Sequence, residues 1–498
     1  MMKCSCVIRS VSLMLVLLVL CAATSCTQNK SEDSETTTAG TDIETTTGPA
    51  ADEPVPDLPS VRYSGKKITF LEREIEPGNN VNVFFNEIYG ENSGETISNA
   101  VYRRNLEVGE KYDIEIESIR MLNESIYQSF VNAFSAGEQI YDVLHANGTT
   151  TMSLAVNGYL IDMNTLPYVN YDAPWWMGMV METSSISGKN AFAIGDTNLH
   201  SFTAVSAVYF NKALVRDLTL DDPYQVVRDG KWTIDKMYTY CSAAVRDLNG
   251  DGVMNADDRY GIIFNAYAWA PFFYGSGLCI VEKDTDDIPY LNFGDDKVYD
   301  ALAKVVDFLA DTEVQACASW MDLGEMSVKF QNGYSMFYVQ LMYAVMQLRS
   351  GDLDFGILPA PKLDEGQDGY YSYIHNKSSY TSVPKNNKDL EMTGVLLEDM
   401  AYHSYKIVRP AFFDIMLDGK VARDEDSWEM LDIVYSNMYV CLLQPMSGVG
   451  LSTDTTMRSF IVNKTGSGAI KSTLRMTSTA WSKTLENIAK SFRENMGG

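Results

Sequence analysis

The sequence has few of the residues on which common enzyme chemistry depends. It contains four histidines, and none of them forms the H-x-x-x-H or H-E-x-x-H spacing of zinc enzymes. A G-x-S-x-G motif, a phosphate-binding Walker loop and the glycine set of Rossmann folds are also absent. These absences exclude the commonest signatures of zinc hydrolases, serine hydrolases and nucleotide-dependent enzymes.

Positive charge is scarce. The chain has 39 Lys and Arg against 66 Asp and Glu, a formal net charge of −27. Removing residues 1–25, which contain Lys3 and Arg9 but no acid, leaves about −29. This balance argues against nucleic acid as a partner, because phosphate binding needs a basic surface. We attribute the acidity to solubility outside the cell.

Cysteine is sparse in the globular part of the chain. Cys241, Cys279, Cys317 and Cys441 are widely spaced, with no C-x-x-C motif and no histidine nearby. This spacing excludes the common zinc patterns. Two disulfides and four buried thiols both fit the spacing, and the size of the core favours buried thiols.

Only one long apolar run is present, and it lies at the N-terminus. Residues 11–23 are almost entirely apolar and follow Lys3 and Arg9. The run is too short for a typical membrane-spanning helix and has the charge pattern of an export signal. We therefore predict that residues 1–25 form a signal peptide.

Ala23-Thr24-Ser25-Cys26 resembles the lipobox of bacterial lipoproteins, although Ala23 stands where Leu is usual. In those proteins the cysteine thiol is acylated and becomes the first residue after cleavage. The resemblance predicts lipidation of Cys26 and an anchor on the outer face of the cell membrane. Cys21 is a poorer candidate because Leu20 precedes it, and an ordinary cleaved signal with a free cysteine is the alternative.

Residues 26–60 are rich in Thr, acids, Pro, Ser and Gly, with few large apolar side chains. Such a segment cannot bury enough surface to offset the entropy of ordering it. We predict a flexible stalk between the anchor and the folded part.

The rest of the chain alternates strand and helix patterns. Short apolar strands at 67–71, 112–119 and 141–144 are separated by segments with helical periodicity. Later strands are predicted at 204–210, 260–264, 334–339 and 354–358, with helices at 233–246 and 298–310. Thr233 is the predicted cap of the first of these helices.

This alternation predicts an α/β fold built around parallel sheet. About 440 residues are enough for two lobes, each with its own core. We assign residues 61–200, with about 370–430 returning, to the first lobe. The second lobe takes residues 201–369, with about 431–498 returning.

Several short segments recur in the order seen in one family: Ala173–Trp176, Gly195–Leu199, Val208–Lys212, Lys329–Phe337 and Phe355–Pro361. In this order the chain resembles the extracellular solute-binding proteins of ABC transporters, in the class that includes maltodextrin-binding protein. The resemblance implies a two-lobed, periplasmic-binding-protein-like (venus flytrap) fold with interlobe crossovers and a ligand cleft. It also implies a monomer that delivers a small solute to permease subunits.

Candidate ligand-binding residues come mostly from the resemblance. Tyr338, Gln340 and Tyr343 follow the family segment Lys329–Phe337, and Trp175 lies in Ala173–Trp176, whereas His145 and Asn147 follow the predicted strand 141–144. The aromatic segment 265–274 comes after strand 260–264, where the family supplies stacking rings, and we predict it to be an extended loop. Trp and Tyr in this context also commonly belong to the core. The predicted ligand-binding residues are Trp269, Tyr274, Tyr338, Gln340, Tyr343, His145, Asn147 and Trp175.

The segment 247–258 has the spacing of a calcium loop. Oxygen-bearing side chains stand at loop positions 1, 3, 5, 9 and 12, and Gly252 stands at position 6. The candidate calcium ligands are Asp247, Asn249, Asp251, Val253, Asn255 and Asp258. A polar turn that needs no ion is the alternative, and in either case we expect a structural role with no other cofactor required.

We therefore predict a receptor, not an enzyme, with a sugar or oligosaccharide as the favoured solute. The alternatives are a secreted glycan-active enzyme and a surface glycan-binding protein that works without a transporter. Glycan hydrolysis needs a pair of carboxylates. Glu72, Glu74 and Glu76, near the end of the first predicted strand, are the obvious candidates. With 66 acids in the chain, their proximity carries little weight, and we expect exposed charges there.

Overall fold

The computed structural model describes residues 54–74, 86–292, 296–311, 315–317, 323–417 and 425–496. All of them belong to one compact unit that begins at Pro54. The predicted signal peptide, Cys26 and most of the stalk lie outside the described residues. Leu58 packs against the core of the first lobe, so folded contacts begin slightly before residue 60.

Thirteen strands are described: β1 Lys66–Arg73, β2 Ile114–Met121, β3 Val143–Asn147, β4 Ser206–Asn211, β5 Tyr260–Phe264, β6 Val281–Lys283, β7 Pro289–Leu291, β8 Gln315–Cys317, β9 Ser335–Leu341, β10 Phe355–Leu358, β11 Ser372–Tyr373, β12 Ser379–Ser382 and β13 Met438–Tyr439.

The described α-helices are α1 Thr96–Tyr112, α2 Asn123–Ser135, α3 Gly148–Val156, α4 Gly178–Ser184, α5 Leu199–Thr203, α6 Lys212–Asp217, α7 Pro223–Arg228, α8 Ile234–Ala244, α9 Trp269–Tyr274, α10 Asp296–Ala310, α11 Leu323–Gln331, α12 Ala344–Leu348, α13 Leu390–His403, α14 Arg409–Leu417, α15 Glu425–Ser436, α16 Asp454–Val462 and α17 Ile470–Asn495. A π-helical turn at Ser404–Val408 joins α13 to α14. Among the described residues, no helix combines the length and apolar character needed to cross a lipid bilayer.

The first lobe is built on a four-stranded sheet in the order β12-β3-β1-β2. Strand β1 runs parallel to both neighbours, and β12 runs antiparallel to β3. Ile68 and Phe70 on β1 face a core that includes α1 and α13, whereas Leu71 belongs to the core on the opposite face. This alternation follows from the two-residue period of a strand, and the predicted parallel arrangement is confirmed.

The second lobe contains a five-stranded sheet in the order β10-β4-β9-β5-β8. Strands β5 and β9 are parallel, and β4 runs antiparallel to β9 between it and β10. The carboxyl ends of β5 and β9 therefore meet at the edge where β4 begins. The cap of α8 is confirmed, because the Thr233 side chain accepts a hydrogen bond from the Lys236 backbone N–H.

Two adjacent segments carry the chain between the sheets. Val205, just before β4, forms an antiparallel bridge with Ile374, which follows β11. The His375 backbone N–H also donates to the Ala204 carbonyl at 3.0 Å. The chain then enters the first sheet as β12. We call residues 374–378 the crossing segment.

The last part of the chain contacts both lobes. Helix α15 packs on β10 and α16 packs on α10, both in the second lobe. Helix α17 contacts α10 and β7 as well as α3 of the first lobe.

The prediction of an extended loop at 265–274 is wrong. Residues Ala266–Ala268 form a 3₁₀ turn that continues directly into α9. The Asn265 side chain caps this turn by accepting the Tyr267 backbone N–H at 2.9 Å. Pro271 lies in the first turn of α9, where a missing N–H breaks no intrahelical hydrogen bond.

Candidate functional site

A cavity of about 390 Å³ lies where the carboxyl ends of β5 and β9 meet the crossing segment. The volume is in the range typical of small-molecule sites. Open α/β sheets place their ligand sites at the carboxyl ends of strands, because the loops there are free to vary. The side chains that give this cavity its chemistry are Asn265, Tyr267, Gln340, Tyr343, His375, Asn376, Lys377 and Asp454.

Tyr267 is the exposed aromatic ring of this cavity. The residue is 41% exposed, whereas most of the surrounding aromatic residues are buried. The Arg458 guanidinium lies 4.3 Å from the Tyr267 ring centroid, and Arg458 Nη1 donates to the Tyr267 hydroxyl at 2.9 Å. Because Arg458 covers one face of the ring, a stacked ligand would use the opposite face.

Asp454 and Arg458 share one face of α16. Burial raises the pKa of Asp454, while contacts with Gln444, Arg458 and Trp269 act in the opposite direction. Asp454 borders the cavity and Arg458 supports Tyr267, so α16 contributes both an acid and the support of the aromatic ring.

Three carboxamides line the same cavity, from Asn265, Gln340 and Asn376. Gln340 Oε1 accepts the Leu341 backbone N–H at 2.9 Å. Its amide group also interacts with the buried Tyr338 side chain deeper in β9. Together the three carboxamides give the cavity wall both hydrogen-bond donors and acceptors.

The crossing segment forms the remaining wall. Burial, with a further contribution from Lys377, lowers the pKa of His375 to about 3, so its imidazole is neutral at physiological pH. The Lys377 carbonyl accepts a hydrogen bond from Arg73 Nη1 at 2.9 Å. Since Arg73 ends β1, this bond joins the first lobe to the cavity wall.

The structure places only some of the predicted ligand residues at this cavity. Gln340 and Tyr343 border it, at and just beyond the end of β9. Tyr338 lies deeper in β9 and packs against Phe330 and Tyr209 at ring-centroid distances of 5.6 and 6.0 Å.

Trp269 and Tyr274 are fully buried in α9 and do not border the cavity. Their ring centroids are 5.6 Å apart, and the Tyr274 ring lies 5.0 Å from that of Tyr373. They support the helix that follows Tyr267. Direct contact of either ring with a ligand stays a prediction.

The predicted first-lobe residues already have partners within the protein. His145 hydrogen-bonds to Glu87 at 3.1 Å and to Thr381 at 3.0 Å. Asn147 caps α3 by accepting the Thr150 backbone N–H, and Trp175 Nε1 donates to Glu398 at 3.0 Å. Their role in ligand binding stays a prediction.

Glu72 differs from the exposed charge that the sequence predicts, because only 2% of it is exposed. Its carboxylate accepts three backbone N–H groups, from Glu87, Ile88 and Tyr89, and the Ser118 hydroxyl. Burial raises its pKa overall. Glu72 therefore has a structural role in the first lobe, and Glu76 lies outside the described residues.

The predicted calcium loop folds as a series of capped turns. Asp247 accepts the Gly250 and Gly252 backbone N–H groups at 2.6 and 2.8 Å, which lowers its pKa. The buried Asp258 accepts from Leu248 and Asn255 at 2.9 and 2.8 Å. Across the described ranges, no three His, Cys, Asp or Glu side chains are grouped to hold a metal. Calcium binding stays a prediction.

The sequence patterns did not identify Tyr267, Asp454 or Arg458 as residues of the cavity. Tyr267 lies in the segment that the pattern selected, but a helical turn, not a loop, decides which of its rings is exposed. Asp454 and Arg458 lie almost 200 residues further along the chain, with no local motif to connect them.

No known family pattern matches this chain, and no curated protein matches its sequence. Solved structures do match. The GacH receptor of Streptomyces glaucescens, solved unliganded and with acarbose, is 13% identical, with 87% of this chain and 98% of that chain covered and a TM-score of 0.51.

A substrate-binding protein from Listeria monocytogenes in complex with cycloalternan is 12% identical. The match covers 87% of this chain and 99% of that chain, with a TM-score of 0.52. A solute-binding protein from Thermotoga lettingae bound with α-D-tagatose is 14% identical, covers 84% and 100%, and has a TM-score of 0.53. Identities this low establish the fold alone. The chain has the two-lobed α/β fold of ABC-transporter solute-binding proteins of the maltodextrin-binding type.

Proposed function

We propose that this protein is a solute receptor that captures a sugar or oligosaccharide and delivers it to an ABC importer. The observation that carries the proposal is the cavity at the ends of β5 and β9, where a half-exposed aromatic ring lies beside three carboxamides. Flat rings suit the apolar faces of pyranoses, and carboxamides both donate to and accept from hydroxyl groups. The ligands named for the three structural neighbours are carbohydrates, which supports this choice.

A thermal-shift screen of the purified protein against a panel of mono- and oligosaccharides tests the proposal. A ligand that binds only the native state must raise the melting temperature. We expect Tyr267→Ala to remove the shift given by the best sugar. Tyr290→Ala is the matched control, because Tyr290 is 42% exposed and does not line the cavity. The proposal fails if no sugar shifts the melting temperature.

We further propose that the protein lacks enzymatic activity. No sequence signature of a hydrolase supports the glycan-active alternative, and the Glu72 carboxylate, from the acidic cluster at the end of β1, accepts hydrogen bonds from backbone N–H groups. Incubation of the purified protein with the sugar that binds best, followed by chromatography, separates the two functions. Conversion of that sugar to products would establish an enzyme.

We also propose an extracytoplasmic, monomeric protein held to the membrane by a lipid on Cys26. The lipobox-like sequence and the Thr-rich segment that follows it support this placement. The full-length protein should fractionate with membranes, and Cys26→Ser should release it into the medium. Continued membrane association of that variant would argue against the lipid anchor, whereas sugar binding would be unaffected.

A further inference from the structure

A second cavity, distinct from the ligand cavity, has a pair of cysteines at its wall. It measures about 570 Å³ and is lined by Cys279, Tyr439, Val440 and Leu442, among others. Cys441 lies between two of these lining residues in the chain. The structure thus brings together two cysteines that are 162 positions apart in the sequence.

Cys279 lies beside the segment that carries Cys441. It lines the same cavity wall as Tyr439, Val440 and Leu442, and its side chain interacts with those of Cys441 and Tyr439. The Tyr439 hydroxyl is fixed by donating to the Tyr274 carbonyl at 2.5 Å. Tyr439 therefore forms a fixed part of the wall beside Cys279.

The two cysteines differ in access. Cys279 is partly exposed and borders the cavity, whereas Cys441 is 1% exposed and lies behind it. A small molecule that enters the cavity meets Cys279 first. The fully buried Cys241 in α8 has no such opening among the described cavities.

We propose that Cys279 and Cys441 form a disulfide bond in the exported protein, with the second cavity admitting a small disulfide oxidant to Cys279. The proposed extracytoplasmic location would supply the oxidising surroundings that this disulfide requires. The disulfide does not depend on the identity of the solute.

The chemistry is a two-step exchange. The Cys279 thiolate attacks one sulfur of the oxidant, releases one thiolate and leaves a mixed disulfide on Cys279. The Cys441 thiolate then attacks the Cys279 sulfur and releases the second thiolate. Two protein thiols are oxidised to one disulfide, the oxidant is reduced to two thiols, and the two protons pass from the cysteines to the released thiolates.

The hydrogen bond with Cys441, together with burial, raises the pKa of Cys279 well above its ordinary value. The thiolate is the reacting species, so little of it is present at neutral pH. The rate of oxidation should therefore rise about tenfold per pH unit below that pKa.

The test is non-reducing peptide mapping of the purified full-length protein after incubation with oxidised glutathione at pH 8.5. We expect a linked Cys279–Cys441 peptide, with Cys241 still open to alkylation after denaturation. The disulfide should raise the melting temperature by about 5 °C, because it closes a long loop in the unfolded chain. A reductant should reverse this shift, and the double variant Cys279→Ser/Cys441→Ser should be insensitive to both reagents.

Two results would overturn the proposal. One is glutathione on Cys279 while Cys441 remains open to alkylation, which would show that the two sulfurs do not reach bonding distance. The other is full alkylation of both cysteines after prolonged oxidation of the denaturant-free protein. Either result leaves sugar binding untouched, so this proposal and the receptor function fail separately.

Discussion

The two sheets present their strand ends in different ways. At the end of the first sheet, polar groups bond to one another. Glu87 accepts from Ser379 at 2.5 Å and from the His200 backbone N–H at 2.8 Å, and it pairs with His145. At the end of the second sheet, an exposed tyrosine and three carboxamides border open space. We call Glu72, Glu87, His145, His200 and Ser379 the first-lobe cluster.

The strand ends therefore serve different purposes in the two sheets. In the first-lobe cluster the Glu72 and Glu87 carboxylates use their hydrogen-bonding capacity internally, so they stabilise the fold and the chain crossing at β12. At the second edge, capacity remains for a ligand. We therefore expect changes in the first-lobe cluster to affect stability, and changes at the cavity to affect binding.

The largest effect is expected from Glu87→Gln. This change removes a buried charge whose partners are arranged around it, and breaking such a network costs about 3–5 kcal/mol. Chemical denaturation measures the loss, and the sugar-induced thermal shift should persist in the variant. Loss of sugar binding at unchanged stability would reverse the roles of the two edges.

The contribution of Glu87 to stability should depend on pH. Contacts with His200 and His145 outweigh burial and lower the pKa of Glu87 from 4.5 to about 2. A lowered folded-state pKa stabilises the protein above pH 4.5, and this contribution is lost as the pH falls from 4.5 to about 2. The stability difference between wild type and Glu87→Gln should therefore shrink across this interval. A constant difference would contradict the ionised state of Glu87.

A smaller effect is expected from Trp269→Phe. The substitution keeps an aromatic ring in α9 but leaves a small void, at a cost of about 1–2 kcal/mol. Comparison with Tyr267→Ala shows which of the two rings contacts the sugar. Retention of the sugar-induced shift in Trp269→Phe, with its loss in Tyr267→Ala, supports Tyr267 as the contact. The reverse result would restore Trp269 as a direct ligand contact.

The smallest effect on stability is expected at the predicted calcium loop, which belongs neither to the first-lobe cluster nor to the cavity. Calcium added to the chelated protein should raise the melting temperature by about 1–3 °C, as binding to the native state alone requires. Asp251→Asn should reduce this rise, and its side chain is exposed, so the fold should tolerate the change. Absence of heat in isothermal titration would leave the loop as a polar turn that needs no ion.

Much of the fold follows from the sequence because its signals are local. Neighbours a few residues away determine the alternation in β1, the start of α8 after its Thr233 cap and the buried strand β5. The two-lobed arrangement follows from the order of such elements, supported by the family resemblance.

The cavity could be predicted only in part. Gln340 and Tyr343 are predicted from the resemblance, because they follow the family segment Lys329–Phe337, and the end of β9 places them at the cavity. The choice among the rings of residues 265–274 depends on the rotation of a short helix, which a run of aromatic residues does not encode. The support of Tyr267 by Arg458 depends on how a distant helix packs, and no local pattern carries that information.

The crossing segment has a further consequence. His375, Asn376 and Lys377 line the cavity and also belong to the crossing segment, which connects the two sheets. Any rotation of one lobe against the other must be absorbed partly by the torsion angles of these residues. We therefore expect the shape of the cavity to change with the angle between the lobes, so that separation of the lobes would deform the cavity from within, without contact to anything inside it.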